Sequence, residues 1–220
     1  MSPKKEPATG VHRHVLDRYA SGDGVPDGDS VSVAGSASGD FLIIGPCTGV
    51  GGHCSENPDQ KTRRAFMQGG FLPYSAYSPS VRLPQFEGKE SVQTFNLNGN
   101  VSAAEGFIAA EFSDRKWAGK NVCHTVWLDK NRLDMMGKND HPLAELFCEA
   151  GSFYLSRHEG KKFHDPVAAV LTQKPELGVW VKGRPMRVGG GWTTDLSGGD
   201  DVLADLDRDG FWEYLASWGR

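Results

Sequence analysis

Short apolar runs alternate with segments of helical spacing along most of this chain, and the alternation predicts an α/β fold. Phe41-Leu42-Ile43-Ile44 is a compact β-type run closed by Gly45-Pro46, and Ala65-Phe66-Met67 before Gly69-Gly70 repeats the pattern. Val122 to Leu128 (VCHTVWL) reads as a further strand. Helical spacing places Val101, Ala104 and Ile108 on one face behind a cap at Asn100, and aligns Leu143, Phe147, Ala150 and Tyr154 on another. Val167 to Leu171 continues a buried helix that Asp165 is expected to cap, with Pro166 in its first turn. Asp209 is expected to cap a last helix ahead of Phe211-Trp212-Glu213-Tyr214-Leu215. Strands alternating with helices imply a mostly parallel open sheet with helices on both faces. Such sheets bind ligands at the carboxyl ends of their strands.

The pattern fails at the front of the chain. Residues 21–40 are rich in Gly, Ser and Asp, with too little apolar surface to offset the entropy of ordering them. Residues 1–40 are therefore expected to be a flexible segment with one short helix, and 41–220 a single domain. A chain of 220 residues with 38% hydrophobic side chains can bury one sizeable core. Its net charge of -4 offers no basic footprint for nucleic acid, and no stretch has the length of a membrane span. A small-molecule partner, no nucleic acid, no membrane and a cytoplasmic location are the expectations. Cys47, Cys54, Cys123 and Cys148 form no C-x-x-C pair and are expected to be buried free thiols. Gly189-Gly190-Gly191 lacks the Lys-Ser/Thr ending of a phosphate loop.

Three loops after predicted strands carry oxygen ligands. Gly45-Pro46-Cys47-Thr48 offers a hydroxyl and a backbone carbonyl to a hard cation. In Thr94 to Asn100, Asn96 and Asn98 stand on alternate positions, which in an extended segment face one side and could grip sugar hydroxyls. His164-Asp165-Pro166 sets an imidazole, ordinarily titrating near neutrality, immediately before the expected cap. His124 reads equally as a pocket-lining or a core histidine, and Trp127, Trp180 and Trp192 as packing or base-stacking rings. Asp195, Asp200 and Asp201 read as solvated carboxylates of a Gly-rich loop. Asp205 to Gly210 mimics the start of an EF-hand loop, but its twelfth position is Ala216, not Glu.

In order and spacing these loops resemble the inosine/uridine-preferring nucleoside hydrolase family. The matches are Gly45-Pro46-Cys47-Thr48, Met67-Gln68-Gly69-Gly70, Phe95-Asn96 and His164-Asp165-Pro166, spanning roughly 41 to 217. The resemblance implies the family's fold without its first strands, and hydrolysis of the N-glycosidic bond of a (ribo)nucleoside to free base and sugar. It implies a calcium ion (Ca2+) held by the Asp165 carboxylate and the Thr48 carbonyl, with Asn96 on the ribose and Met67 lining the sugar pocket. Asn98 joins these as a sugar contact on the residue pattern alone. His164, near the leaving base, would be the catalytic acid.

The sequence departs from the family in three places, one of them the connection from Phe71 to Ser91, which is longer than the family's and leaves a sugar-binding Asn expected there without a place. Thr94 stands where the family has Glu, and the D-x-D-x-x-x-D-D cluster that supplies most of its metal carboxylates occurs nowhere in the 220 residues. Two readings follow. One is an enzyme whose missing carboxylates and strands come from outside this segment, from a partner chain or a homo-oligomer covering the open sheet edge. The other is a catalytically inactive remnant that binds a nucleoside or a protein partner.

Overall fold

The computed structural model describes residues 40–76 and 78–218; the segment expected to be flexible, apart from Asp40, lies outside them. Two of the three apolar runs read as strands, those at 41–44 and 65–67, enter one sheet. Strands β1 (Phe41–Ile43), β2 (Asp59–Gln68), β3 (Glu111–Ala118), β7 (Gly191–Leu206) and β6 (Gly178–Val188) lie side by side in that order. The first four run parallel and β6 returns antiparallel to β7, so the sheet is mixed and mostly parallel. A separate antiparallel pair joins β4 (Trp127–Leu128) to β5 (Lys161–Lys162).

Register sorts the side chains into two rows. Ile43, Met67, Trp117 and Val202 align across the sheet, with Ala65 beside Arg115 in the same row. This row packs beneath helices α1 (Thr48–Glu56) and α3 (Val101–Ala109): Cys47 at the start of α1 meets Met67, and Phe107 of α3 stacks edge-on against Trp117 at 5.6 Å. The two helices touch through glycines. A Cβ on Gly51 would stand 2.0 Å from the Ala103 carbonyl oxygen, and one on Gly106 would stand 2.2 Å from the Ser55 hydroxyl. The other row carries Leu42, Phe66 and Lys116, the last two lying against the Trp180 ring. Helix α7 (His164–Gln173) packs on β1, β2 and β3, and α8 (Arg208–Ser217) packs beside it.

The α3 helix follows its sequence closely. Asn100 accepts a hydrogen bond from the Ala103 amide at 3.1 Å, as expected of an N-cap. At the other end Arg115 donates to the carbonyls of Phe107, Ile108 and Ala110, groups that a helix C-terminus otherwise leaves unpaired. Arg115 is itself buried and pairs with Asp200 at 2.8 Å, and Asp200 also accepts the Trp117 indole N–H at 3.0 Å. Asp200 is thus a buried ion-pair partner, not the solvated loop carboxylate expected. Asp201 likewise binds Lys116 and Lys182, and only Asp195 stays exposed. The glycine run closes the β6–β7 hairpin. Gly189 and Gly190 have φ of 57° and 83°, the doubly left-handed backbone that a two-residue hairpin turn needs.

Other expectations need correction. Residues 122–128 are not one strand: a helical turn α4 (Lys120–Cys123) and a bend precede the two-residue β4. Val122, Cys123 and Val126 are all fully buried, a spacing of one and four residues that suits one face of a helical turn. In α6 (Pro142–Leu155) Leu143 is 47% exposed, while Ala144 and Gly151 face inward with Phe147 and Cys148. The buried stripe sits one position along because Gly151 admits the Leu133 side chain of α5 (Lys130–Met136). Asp165 does not cap α7. Phe163 holds the cap position without a side-chain bond, and Asp165 lies inside the first turn, where its charge still favours the helix dipole. Asp207, not Asp209, caps α8 by accepting from the Gly210 amide at 3.0 Å. Three of the cysteines are buried thiols and Cys148 is partly so. Among the described residues no helix is long and apolar enough to cross a membrane.

Candidate functional site

The carboxyl ends of β1, β2 and β3 come together with the start of α7, and the sequence-matched residues gather there. Asn96 is the hinge. It lies in a single helical turn, α2 (Phe95–Asn98), and its amide nitrogen donates at 2.8 Å to both the backbone and the side-chain oxygen of Gln68, the last residue of β2. The Gln68 side chain also reaches the Cys123 thiol, which burial pushes up to about 12. That thiol lies 3.6 Å from the Ala118 carbonyl at the end of β3 and 3.9 Å from the His164 carbonyl at the start of α7. A continuous polar chain therefore runs from Asn96 through Gln68 and Cys123 to His164.

A helical turn, not the extended segment expected, carries Asn96 and Asn98. In an extended segment Asn96 and Asn98 would face one side; here they diverge. Asn98 accepts from the Thr94 amide at 2.8 Å and donates to the Gly190 carbonyl at 3.1 Å, tying the turn to the β6–β7 hairpin. Met67 is fully buried and its sulfur accepts the Cys47 thiol, so its contacts are core contacts. Thr48 opens α1, where a carbonyl points along the helix toward the amide four residues on. Its hydroxyl accepts from Asn100 at 3.3 Å. Neither oxygen is held toward Asp165 by any contact in the structure.

His164 and His124 form a stacked pair, ring centroids 4.8 Å apart and tilted 23°, and Phe86 lies 5.1 Å from His124 on its other side. Burial, reinforced by neighbouring positive charge, lowers His164 to about 4 and His124 to about 3. Both rings are neutral at pH 7. His164 is thus not poised as a charged acid: it enters as a ring that can accept a proton or orient a hydrogen bond. His124 Nδ1 and His164 Nε2 are shielded from solvent and have no partner. The charges that depress the pair are Lys120 and Lys162, with Lys161 also acting on His164. Asp165, exposed as a residue, has its carboxyl raised by desolvation, against the pull of Lys161.

A calcium shell needs six to eight oxygens, several of them carboxylate. No group of three His, Cys, Asp or Glu side chains converges anywhere among the described residues, and the charge acting on Asp165 is the positive one of Lys161. The residues present do not fit the ion. Gln68 stands in a matched motif and His124 is named among pocket candidates, but no motif includes Lys120 or Lys162. Lys120 and His124 share a helical face at a spacing of four, a signal hidden while 122–128 was read as a strand. A cavity of about 340 Å³ lies elsewhere, between α3 and the β6–β7 hairpin, lined by Glu105, Ile108, Arg184, Met186 and Trp192 among others.

No protein-family model and no curated protein sequence matches the chain. Solved structures do match by fold. A plant nucleoside hydrolase superposes with a TM-score of 0.62 at 19% identity, over 80% of this chain and 59% of its own. The purine-preferring ribonucleoside hydrolase of Gardnerella vaginalis gives 0.59 at 14%, over 98% of this chain and 66% of its own. An inosine-uridine preferring nucleoside hydrolase from Bacillus anthracis gives 0.57 at 15%, over 95% and 65%. The chain therefore spans about three fifths to two thirds of the length of these proteins, and its α/β fold resembles theirs.

Proposed function

We propose that this chain carries part of a nucleoside N-ribohydrolase site: it binds a nucleoside at the carboxyl ends of β1 to β3. There the glycosidic bond is hydrolysed once carboxylates beyond the described residues complete a metal site. The observation that carries this reading is the polar chain from Asn96 through Gln68 and Cys123 to His164, which brings separate sequence motifs to one end of the sheet. From this chain, Asn96 fixes the end of β2, and the neutral His164 ring orients the departing base or accepts a proton. A partner chain or second copy is the proposed source of the missing acids.

A second reading, binding without turnover, is favoured by the poor fit of Asp165 to calcium and by the neutrality of His164. Release of free base from a mixed purine and pyrimidine nucleoside panel, with calcium and with chelator, separates the two. Chelator-sensitive release supports hydrolysis. Saturable nucleoside binding with no release supports the second reading, and no binding at all sinks both.

A further inference from the structure

The cavity between α3 and the β6–β7 hairpin is bordered by none of Thr48, Asn96, His164 and Asp165. Both of its walls are held in place. On one side Arg115 ties down the last carbonyls of α3. On the other the hairpin changes register: Gly183 pairs with Asp200 and Arg184 with Asp195, so residues 196–199 leave the ladder. The distal ladder, residues 184–188 against 191–195, is then anchored at Trp192, which exchanges both backbone hydrogen bonds with Val92 at 2.8 and 3.1 Å. A space of about 340 Å³ between two fixed walls falls within the roughly 300–1,000 Å³ typical of small-molecule sites.

Its lining combines apolar surface with a few charges. Ile108 of α3 and Pro185, Met186 and Trp192 of the hairpin supply the apolar part, and Pro185 and Trp192 are buried. Of the four charged side chains that border the space, two are engaged. Arg184 pairs with Asp200 at 3.3 Å, and Asp195 accepts from the Ser197 amide and hydroxyl at 2.9 and 2.8 Å. The other two, Glu105 on the α3 wall and Arg187 on the hairpin wall, have no partner among the described residues. An exposed charge by itself calls for no ligand, because water solvates it. Here the two open charges are of opposite sign, stand one on each wall, and flank apolar surface that a ligand would cover. Apolar contact supplies burial in such a site, and a few convergent polar groups fix orientation.

We propose that this cavity is a site for a zwitterionic amino acid with an apolar side chain. The Glu105 carboxylate accepts from the ligand's ammonium group, the Arg187 guanidinium donates to its carboxylate, and its side chain lies against Ile108, Met186 and Trp192. A ligand with a single charge would satisfy one wall and leave the other to water. An uncharged nucleoside would satisfy neither, so the site is separate from the nucleoside reading above and does not rest on it.

The test is calorimetric titration of the full chain with leucine, methionine and phenylalanine. The tightest of the three is then compared with two analogues, one lacking the ammonium group and one lacking the carboxylate. At least one amino acid is expected to bind, and each analogue to bind about tenfold more weakly, the loss of one hydrogen bond to a charged group. Glu105→Gln should weaken the amino acid about tenfold and leave the analogue without an ammonium group unchanged. Arg187→Gln should weaken the amino acid equally and leave the analogue without a carboxylate unchanged. Both positions are exposed, and circular dichroism checks that the variants fold. No amino acid binding, an amino acid bound no better than one of its analogues, or variants that weaken every ligand alike overturns the site. Displacement of the amino acid by inosine also overturns it, whereas a chain that binds the amino acid and no nucleoside keeps this site and discards the nucleoside reading.

Discussion

Arg115 is the residue whose removal should damage the fold most for its size. It is 3% exposed, pairs with Asp200, donates to three carbonyls at the end of α3, and lies over the rings of Phe107, Phe112 and Trp117. Arg115→Met keeps most of the side-chain volume but leaves Asp200 in the interior with only the Trp117 indole and Arg184. Breaking a buried pair by removing one partner costs about 3–5 kcal/mol. Asp200 retains two donors, which argues for the low end, while the orphaned carbonyls of Phe107 and Ala110 add to the cost. A loss of about 4 kcal/mol is expected, a large share of the ~5–15 kcal/mol that holds a domain together. In urea, with a slope of about 2 kcal/mol/M, the midpoint should fall by about 2 M. Arg115→Met/Asp200→Leu should recover part of the loss, because the second change removes the stranded charge. A midpoint shift below about 0.5 M in Arg115→Met, or a double variant no better than the single, would refute the view that this ion pair joins α3 to the sheet.

The histidine pair predicts a specific acid response. Its folded values, about 3 and about 4, lie below the ordinary 6.5, so the unfolded chain takes up protons first as pH falls. Stability should be full above pH ~6.5 and decline toward pH 4, before carboxylates such as Asp201 and Asp205 add their own loss. Each ring contributes under about 1 kcal/mol per pH unit once its remaining solvent access is allowed for. Melts from pH 7.5 to 4.5 should show the decline, and His124→Phe should flatten it; an unchanged slope would remove the pair as its source. Calcium should leave the melting curve of the chain unmoved, since no group of three metal-binding side chains gathers among the described residues. A calcium-dependent rise that disappears in Asp165→Asn would reverse that conclusion and restore the metal. Gly51→Ala should cost about 1–3 kcal/mol despite alanine's better helix propensity, because the new methyl meets the Ala103 carbonyl. Thermal melts check this, and a stabilised variant would mean that α1 and α3 do not touch at that glycine.

The sequence disclosed elements wherever local pattern and tertiary burial agreed. The end of β2 is a continuous apolar run at positions a covered sheet buries, β1 is an apolar run that pairs at the sheet edge with Leu42 exposed, and the Asn100 cap is a local bond. It misled where a residue's partner comes from far along the chain. Asp200 looks like one more acid in a glycine-rich loop until Arg115, 85 positions earlier, is brought beside it. Val122 to Leu128 has the composition of a strand, but Gly119 and the demand to bury Val122, Cys123 and Val126 together wind it into a turn. Lys120, just before that run, and His124 stand one helical turn apart in the fold, the His124 amide bonding the Lys120 carbonyl.

Short motifs report which residue types stand at a strand end, and so the meeting of Gln68, Asn96 and His164 could be anticipated from order and spacing. They do not report the sign of the field there, because that depends on side chains outside every motif. Lys89, Lys120, Lys161 and Lys162 lie in three separate segments, and their joint effect is read only through the groups they depress or shift. The same Asp165 that a motif casts as a calcium ligand therefore stands in surroundings that disfavour a second positive ion. Fold and chemistry part at this point. The fold resembles that of nucleoside hydrolases, while the charge that acts on Asp165 is the positive one of Lys161 and no group of three metal-binding side chains gathers among the described residues.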